Sequence, residues 1–141
     1  MAAGVDQEFV GVAANLGAYT IAVLGAEDRI EEALAWANLA CTAVPGGAEP
    51  TTALRETRAA VLAVAGRPAE ALPDLQAGLA QIAEHQPDAP SIAWSHAFLA
   101  RAHLDAGSVD LARDHAARAE ELAARHDVPV PVLDAMRDRL R

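Results

Sequence analysis

Two glycines lie 41 residues apart in matching surroundings, and this internal repetition is the feature that most constrains the fold. Each of them, Gly66 and Gly107, follows an apolar stretch and precedes a second amphipathic segment. Glycine directly after one helix, and a residue such as Pro68 at the start of the next, are the expected signals of a helical hairpin. One amphipathic hairpin cannot bury its apolar stripe alone, so we expect repeated hairpins to stack side by side.

A further copy of the pattern precedes these two, but its register is open. Residues 28–34 resemble residues 66–72 at a spacing of 38, which places Asp28 at the position of the glycine. Gly25, however, lies 41 residues before Gly66. The sequence therefore predicts three hairpins and leaves two registers for the first.

The composition favours helices over strands. Hydrophobic residues make up 52% of the chain, aromatic residues only 4%, and about a quarter of all residues are alanine. Alanine is the best helix former, and the β-branched and aromatic runs that strands prefer are scarce. We predict an all-α fold in one domain covering residues 1–141. Its helices are expected at 8–24, 28–44, 52–65, 68–84, 91–106, 109–126 and 130–141.

The hairpins resemble tetratricopeptide repeats, in a longer-period variant similar to kinesin-light-chain-like repeats. That motif has large and small apolar residues in the first helix, a glycine at the turn and small residues in the second helix. The matching residues are Leu99, Ala100, His103, Gly107, Ala112 and Ala119 in the third copy, Ala59, Leu62, Gly66, Ala71 and Gly78 in the second, and Ile21, Leu24, Ala33 and Ala40 in the first. Arg58 and His103 depart from the motif, because each stands where a large apolar or aromatic residue is usual. The resemblance implies a right-handed α-solenoid of about three hairpins (8–44, 52–84 and 91–126) with a C-terminal capping helix at 130–141.

The resemblance also implies a concave groove, lined by the first helix of each hairpin, that binds a peptide or helix of a partner protein. Trp94 and Arg101 are two turns apart on one helix face, and an aromatic residue beside an arginine is typical of a binding hot spot. The alternatives are that Trp94 packs in the core and that Arg101 is simply solvated. Counting along the three helices gives the candidate groove residues Trp94, Phe98, Arg101, Asp105, Glu56 and Tyr19.

The charge balance narrows the class of partner. The formal net charge is −9, from 20 acidic and 11 basic residues, and every basic residue is an arginine. An acidic surface repels phosphate backbones, so we predict no nucleic-acid binding.

The exclusive use of arginine suggests a GC-rich, bacterial genome. The single cysteine, Cys41, cannot form an internal disulfide and lies in the predicted helix at 28–44, which favours a buried thiol and a cytoplasmic protein.

No motif for catalysis or metal binding is recognisable. The five histidines do not form an HExxH motif, and a single cysteine cannot form paired CxxC motifs. Gly46-Gly47 is not followed by the lysine of a phosphate-binding loop. We therefore predict that the chain is not an enzyme and has no catalytic residues, metal or cofactor. The alternatives to a protein-interaction module are a regulatory or sensor domain of a bacterial transcription or signalling system, and a small-molecule-binding protein or enzyme that uses the groove.

The segment from Phe9 to Gly25 carries no charged residue. It is shorter than the roughly 20 residues of a membrane span, and it follows Asp6 and Glu8 where a signal peptide has basic residues. We therefore predict no membrane insertion. A terminal repeat needs a polar outer face, so the missing charge predicts a homo-oligomer contact through Phe9 to Leu24 or a longer repeat array. The alternative is that the N-terminal residues and the predicted helix at 52–65 cover this helix.

Overall fold

A computed structural model describes the backbone of residues 3–141 and the side chains of residues 8–141. Within this range the chain is all-helical and contains no strand, which confirms the predicted all-α class. Each predicted helix overlaps one observed helix. The seven α-helices described are α1 (Ala3–Leu24), α2 (Ile30–Thr42), α3 (Thr52–Val64), α4 (Pro68–His85), α5 (Ser91–Asp105), α6 (Val109–His126) and α7 (Pro131–Met136), with short 3-10 helices at Glu27–Arg29, Pro45–Gly47 and Arg137–Leu140.

The turns after α1, α3 and α5 have the same backbone geometry. Gly25, Gly66 and Gly107 have φ angles of +64°, +78° and +87°, a left-handed conformation that glycine adopts without steric cost. In each turn the residue after the glycine donates its N–H to the carbonyl five residues earlier, which caps the helix in a Schellman motif. These bonds are Ala26 to Ile21 at 3.2 Å, Arg67 to Leu62 at 2.9 Å and Ser108 to His103 at 2.8 Å.

This shared geometry fixes the register of the first hairpin. Gly25 takes the place of Gly66 and Gly107, at a spacing of 41, and the placement of Asp28 at the glycine position is wrong. Asp28 lies instead in the 3-10 helix Glu27–Arg29, which separates Gly25 from the start of α2. That extra turn accounts for the second spacing of 38, because it delays the second helix of the first hairpin by three residues.

Consecutive helices pair as α1 with α2, α3 with α4 and α5 with α6. Helix α3 also contacts α1 and α2, and α5 also contacts α3 and α4, so each hairpin packs on the one before it. Alanine fills many of these interfaces, and its small side chain lets helix backbones approach closely. The buried alanines include Ala18, Ala22, Ala33, Ala37, Ala59, Ala60, Ala63, Ala93, Ala97 and Ala100.

Helix α7 packs mainly against α5 and α1, the first helices of the third and first hairpins. Its apolar residues Val132, Leu133 and Met136 are buried. Just before α7, the carbonyl of Pro129 accepts a hydrogen bond of 2.8 Å from Nε1 of Trp94 on α5. The predicted C-terminal helix therefore covers part of the side formed by the first helices of the hairpins.

Candidate functional site

An open cavity of about 600 Å³ lies between the middle of α1 and the first half of α3. The end of α2 and single residues of α4 and α5 complete its walls. We call this cavity the α1–α3 groove, and its wall is mostly apolar. Its lining residues are Glu8, Gly11, Val12, Asn15, Leu16, Tyr19, Ala40, Ala43, Val44, Pro45, Thr51, Ala53, Leu54, Glu56, Thr57, Ile82 and Ser91.

Thr51 caps the N-terminus of helix α3 and also lines the groove. The Thr51 side chain accepts a hydrogen bond of 3.2 Å from the backbone N–H of Leu54, which satisfies one free donor of the first turn. Glu56 and Thr57 follow about one turn later and are both buried. The cap therefore fixes the part of α3 that carries the polar residues of the groove.

Glu56 is the buried carboxyl group of the groove. The residue is only 8% exposed, and its Oε2 atom has no hydrogen-bond partner. Burial raises the pKa of Glu56 to about 7, because the charged form is poorly solvated there. The carboxyl group has room only because residue 78 of α4 is glycine, since a Cβ at Gly78 would overlap it.

Asn15 and Tyr19 of α1 face the same groove. Asn15 Oδ1 is buried and, like Glu56 Oε2, lacks a hydrogen-bond partner. The Tyr19 ring packs edge-on against Trp94 and Phe98, with ring centroids 6.1 Å and 6.2 Å apart. Burial, and secondly the nearby Glu56 carboxylate, raise the pKa of Tyr19 above its usual range, so the phenol stays protonated. The groove thus combines apolar walls with two hydrogen-bond acceptors that nothing in the described chain satisfies.

An exposed apolar face of α1 borders the groove. Phe9 is 73% exposed, Val12 64% and Leu16 65%, and these residues follow one another at helical spacings of three and four. Val12 and Leu16 also line the groove itself, so the groove and the exposed face form one continuous surface. Among the residues that the structure describes, no helix is long and apolar enough to cross a membrane.

Of the residues predicted for the groove, Tyr19 and Glu56 line the α1–α3 groove. Phe98 is only 2% exposed and lies in the core behind Tyr19. Trp94 is partly buried between Tyr19 and the segment before α7, to which its indole N–H is bonded. Neither Trp94 nor Phe98 presents a free face in the groove.

Arg101 and Asp105 form a separate cluster near the end of α5. Arg101 Nε donates to Asp105 at 3.0 Å, and its NH2 group donates to Glu27 at 3.1 Å and to the carbonyl of Val64 at 3.3 Å. Asp105 also accepts a hydrogen bond of 2.6 Å from Arg139. The cluster links α5 to the 3-10 helix after α1, to the end of α3 and to the C-terminal segment, so its charges serve contacts within the chain.

Three histidines lie together between α5 and α6. The Nδ1 atoms of His96 and His115 are 2.9 Å apart, and the rings of His103 and His115 are stacked at 5.5 Å. Burial, then the neighbouring His115 and Arg118, lower the pKa of His96 to about 4, and burial also lowers the pKa of His103 and of His115. All three are therefore neutral near pH 7. In the described part of the chain, no group of three or more His, Cys, Asp or Glu side chains is arranged to hold a metal ion.

Two features of the site were not predicted from the sequence. The end of α2 contributes to the wall of the groove, and Gly78 makes space for Glu56. Gly78 carried a signal, because a glycine inside a helical pattern costs stability and often marks a close approach. In the repeat motif Gly78 is simply a small residue of the second helix, so the motif gave no indication of its close approach to Glu56.

Comparison with protein-family models, with curated proteins and with solved structures found no match to this chain. The resemblance to tetratricopeptide repeats therefore stays a prediction from the sequence.

Proposed function

We propose that this chain is a protein-interaction module, which binds an apolar helical segment of a partner protein in the α1–α3 groove. The observation that carries this proposal is the continuous apolar surface formed by the groove and by the exposed residues Phe9, Val12 and Leu16. Contiguous exposed apolar surface of this kind typically marks a binding site. An amphipathic helix laid in an apolar groove is a common mode of peptide recognition.

We further propose that the three hairpins form a right-handed solenoid similar to tetratricopeptide repeats. Three features support it: the identical turns at Gly25, Gly66 and Gly107, their constant spacing of 41, and the packing of each hairpin on the preceding one. In such an array the first helices line the concave side. Helices α1 and α3 would have this position. Helix α7 packs on the same side against α5 and the end of α1, which leaves the part along residues 8–19 of α1 open. Because the one cysteine is buried and needs no oxidising compartment, we place the protein in the bacterial cytoplasm.

Replacing Leu16 by aspartate should abolish partner binding. A charge in the middle of the apolar surface is poorly solvated once the partner helix covers it, and we expect at least a tenfold loss of affinity. The matched control is Leu111→Asp, because Leu111 is an exposed leucine of α6, away from the groove. Both variants and the unmodified protein would be immobilised and used to capture partners from the native cell lysate.

The captured proteins would be identified and their affinities measured by titration. Loss of the same partner with Leu16→Asp but not with Leu111→Asp supports the groove. Equal recovery with both variants contradicts it.

Self-association through α1 is a second candidate, favoured by the same exposed face from Phe9 to Leu24. A dimer would cover Phe9, Val12 and Leu16 with their copies in a second chain, because symmetric interfaces use the same patch twice. The mass in solution, measured over a range of protein concentrations, distinguishes the two. A dimer that Leu16→Asp dissociates favours self-association, and a monomer at all concentrations favours a different partner.

A further inference from the structure

Two buried side-chain oxygen atoms of the α1–α3 groove have no hydrogen-bond partner. Glu56 is 8% exposed, and no hydrogen bond or ion pair among the described residues involves its side chain. Asn15 Oδ1 in the same groove is also buried and unpartnered. Unsatisfied buried polar groups cost free energy, and native proteins seldom keep them without a reason. The arrangement suits an occupant that brings hydrogen-bond donors.

The charges of the wall indicate the sign of that occupant. The ionisable acids among the lining residues are Glu8 and Glu56, and the lining residues include no arginine or histidine. The whole chain has no lysine, and its arginines lie elsewhere. A cationic donor from outside would therefore meet acidic groups and no competing cation.

The shape of the groove favours lysine over arginine. Lysine has a flexible aliphatic stem, which can lie against the apolar wall, and a compact ammonium with three donors. Glu56, Asn15 and the Tyr19 hydroxyl supply acceptors for a compact head of this kind. A guanidinium has five donors in a rigid plane and would leave more of them unsatisfied among apolar walls.

We propose that the partner helix bound in the α1–α3 groove inserts a lysine, whose ammonium group pairs with Glu56 and is also bonded by Asn15. This inference rests on the proposed function and specifies the chemistry of the partner. The apolar residues of the partner helix flank the lysine and cover Val12 and Leu16. The lysine selects the partner, because an apolar helix without a donor leaves Glu56 buried and unpaired.

Two synthetic helical peptides test this inference. Both are amphipathic and rich in leucine and alanine, and they differ at one central position on the apolar face, which is lysine in one and norleucine in the other. Norleucine keeps the aliphatic stem and lacks the ammonium. We expect the unmodified protein to bind the lysine peptide about tenfold or more tightly than the norleucine peptide, measured by calorimetry. The reverse order would be expected if only apolar burial mattered.

Two variants assign the effect to Glu56. The Glu56→Gln variant keeps the size of the side chain but not its charge, and it should remove most of the preference for lysine. The control is Glu31→Gln, because Glu31 is exposed on α2 and away from the groove, and it should keep the full preference. An unchanged preference in Glu56→Gln overturns the inference.

The outcomes also separate this inference from the proposed function. If both peptides bind equally and Leu16→Asp removes both, the groove binds helices but the lysine is not recognised. If neither peptide binds, yet Leu16→Asp still abolishes capture of a cellular partner, the lysine inference fails and the interaction module stands. If neither peptide binds, no cellular partner is captured, and n-pentylamine gives NMR shifts at Asn15 that Glu56→Gln removes, the site takes a free amine and both proposals are wrong.

Discussion

Replacing Arg101 by alanine is expected to lower the free energy of unfolding by about 3 kcal/mol, the scale of breaking a buried ion pair. The Arg101 side chain is 12% exposed and the Asp105 side chain 15%, so little water can replace the lost contacts. Without the guanidinium, Asp105 keeps only Arg139, and the carbonyl of Val64 loses a donor. The pair with Glu27 adds little, because the Glu27 side chain is 64% exposed.

Urea unfolding at neutral pH, followed by circular dichroism, measures this loss. The control is Arg29→Ala, since Arg29 pairs with Glu32 on the surface and both side chains are about half exposed. That substitution should cost between about 0 and 1 kcal/mol. Similar losses for the two variants would show that the Arg101 cluster does not stabilise the contacts between α5, α3 and the C-terminal segment.

Replacing Glu56 by glutamine is expected to change how stability depends on pH. Burial raises the pKa of Glu56 from the usual 4.5 to about 7 in the folded protein, so the folded state binds a proton that the unfolded state has released. Unfolding therefore becomes easier as the pH rises through this window. Glu56→Gln cannot ionise and escapes the loss. Relative to the unmodified protein, its free energy of unfolding should rise by about 2 kcal/mol between pH 5 and pH 8.

Denaturant unfolding at a series of pH values checks this expectation. The change with pH is the informative quantity, because glutamine alters the hydrogen bonding at every pH by a similar amount. Glu31→Gln serves again as the exposed control and should follow the unmodified protein at each pH. Parallel stability curves for Glu56→Gln and the unmodified protein would mean that the Glu56 carboxyl is solvated in the folded state.

Arg101 and Glu56 are both buried, but only Arg101 has hydrogen-bond partners within the chain. Arg101 is buried with its partners inside the chain, so it stabilises contacts that close one end of the surface formed by the first helices. Glu56 is buried without a partner, so the free chain bears a cost that a bound lysine would remove. The proposed site lies where the chain leaves a buried carboxyl group unpaired.

Local signals account for what the sequence predicted well. Alanine and the spacing of apolar residues indicate helices, and glycine indicates their ends, because the left-handed φ angle that closes each hairpin is a property of one residue. The bonds at Gly66 and Gly107 lie within six residues of chain. The first register was ambiguous because the 3-10 helix Glu27–Arg29 offers a second local match.

The candidate site was only partly predictable, because it depends on contacts between residues far apart in the chain. Periodicity placed Glu56 and Tyr19 on the groove side of their helices, where both lie. It placed Trp94, Phe98, Arg101 and Asp105 there too, but their surroundings depend on residues far along the chain. Arg101 pairs with Glu27 across 74 positions, and Trp94 bonds to Pro129 across 35.

The sequence by itself determined the all-helical class, the seven helices and the glycine turns at Gly66 and Gly107, because these follow from backbone preferences within a few residues. Only the tertiary structure decided where α7 packs, and that placement covers Trp94 and leaves the α1–α3 groove open. It also decided which charges are paired, since Arg101 finds partners in two other segments and Glu56 lies against the backbone of Gly78. Helical periodicity specifies the face on which a residue lies, but burial and pairing depend on what packs against that face.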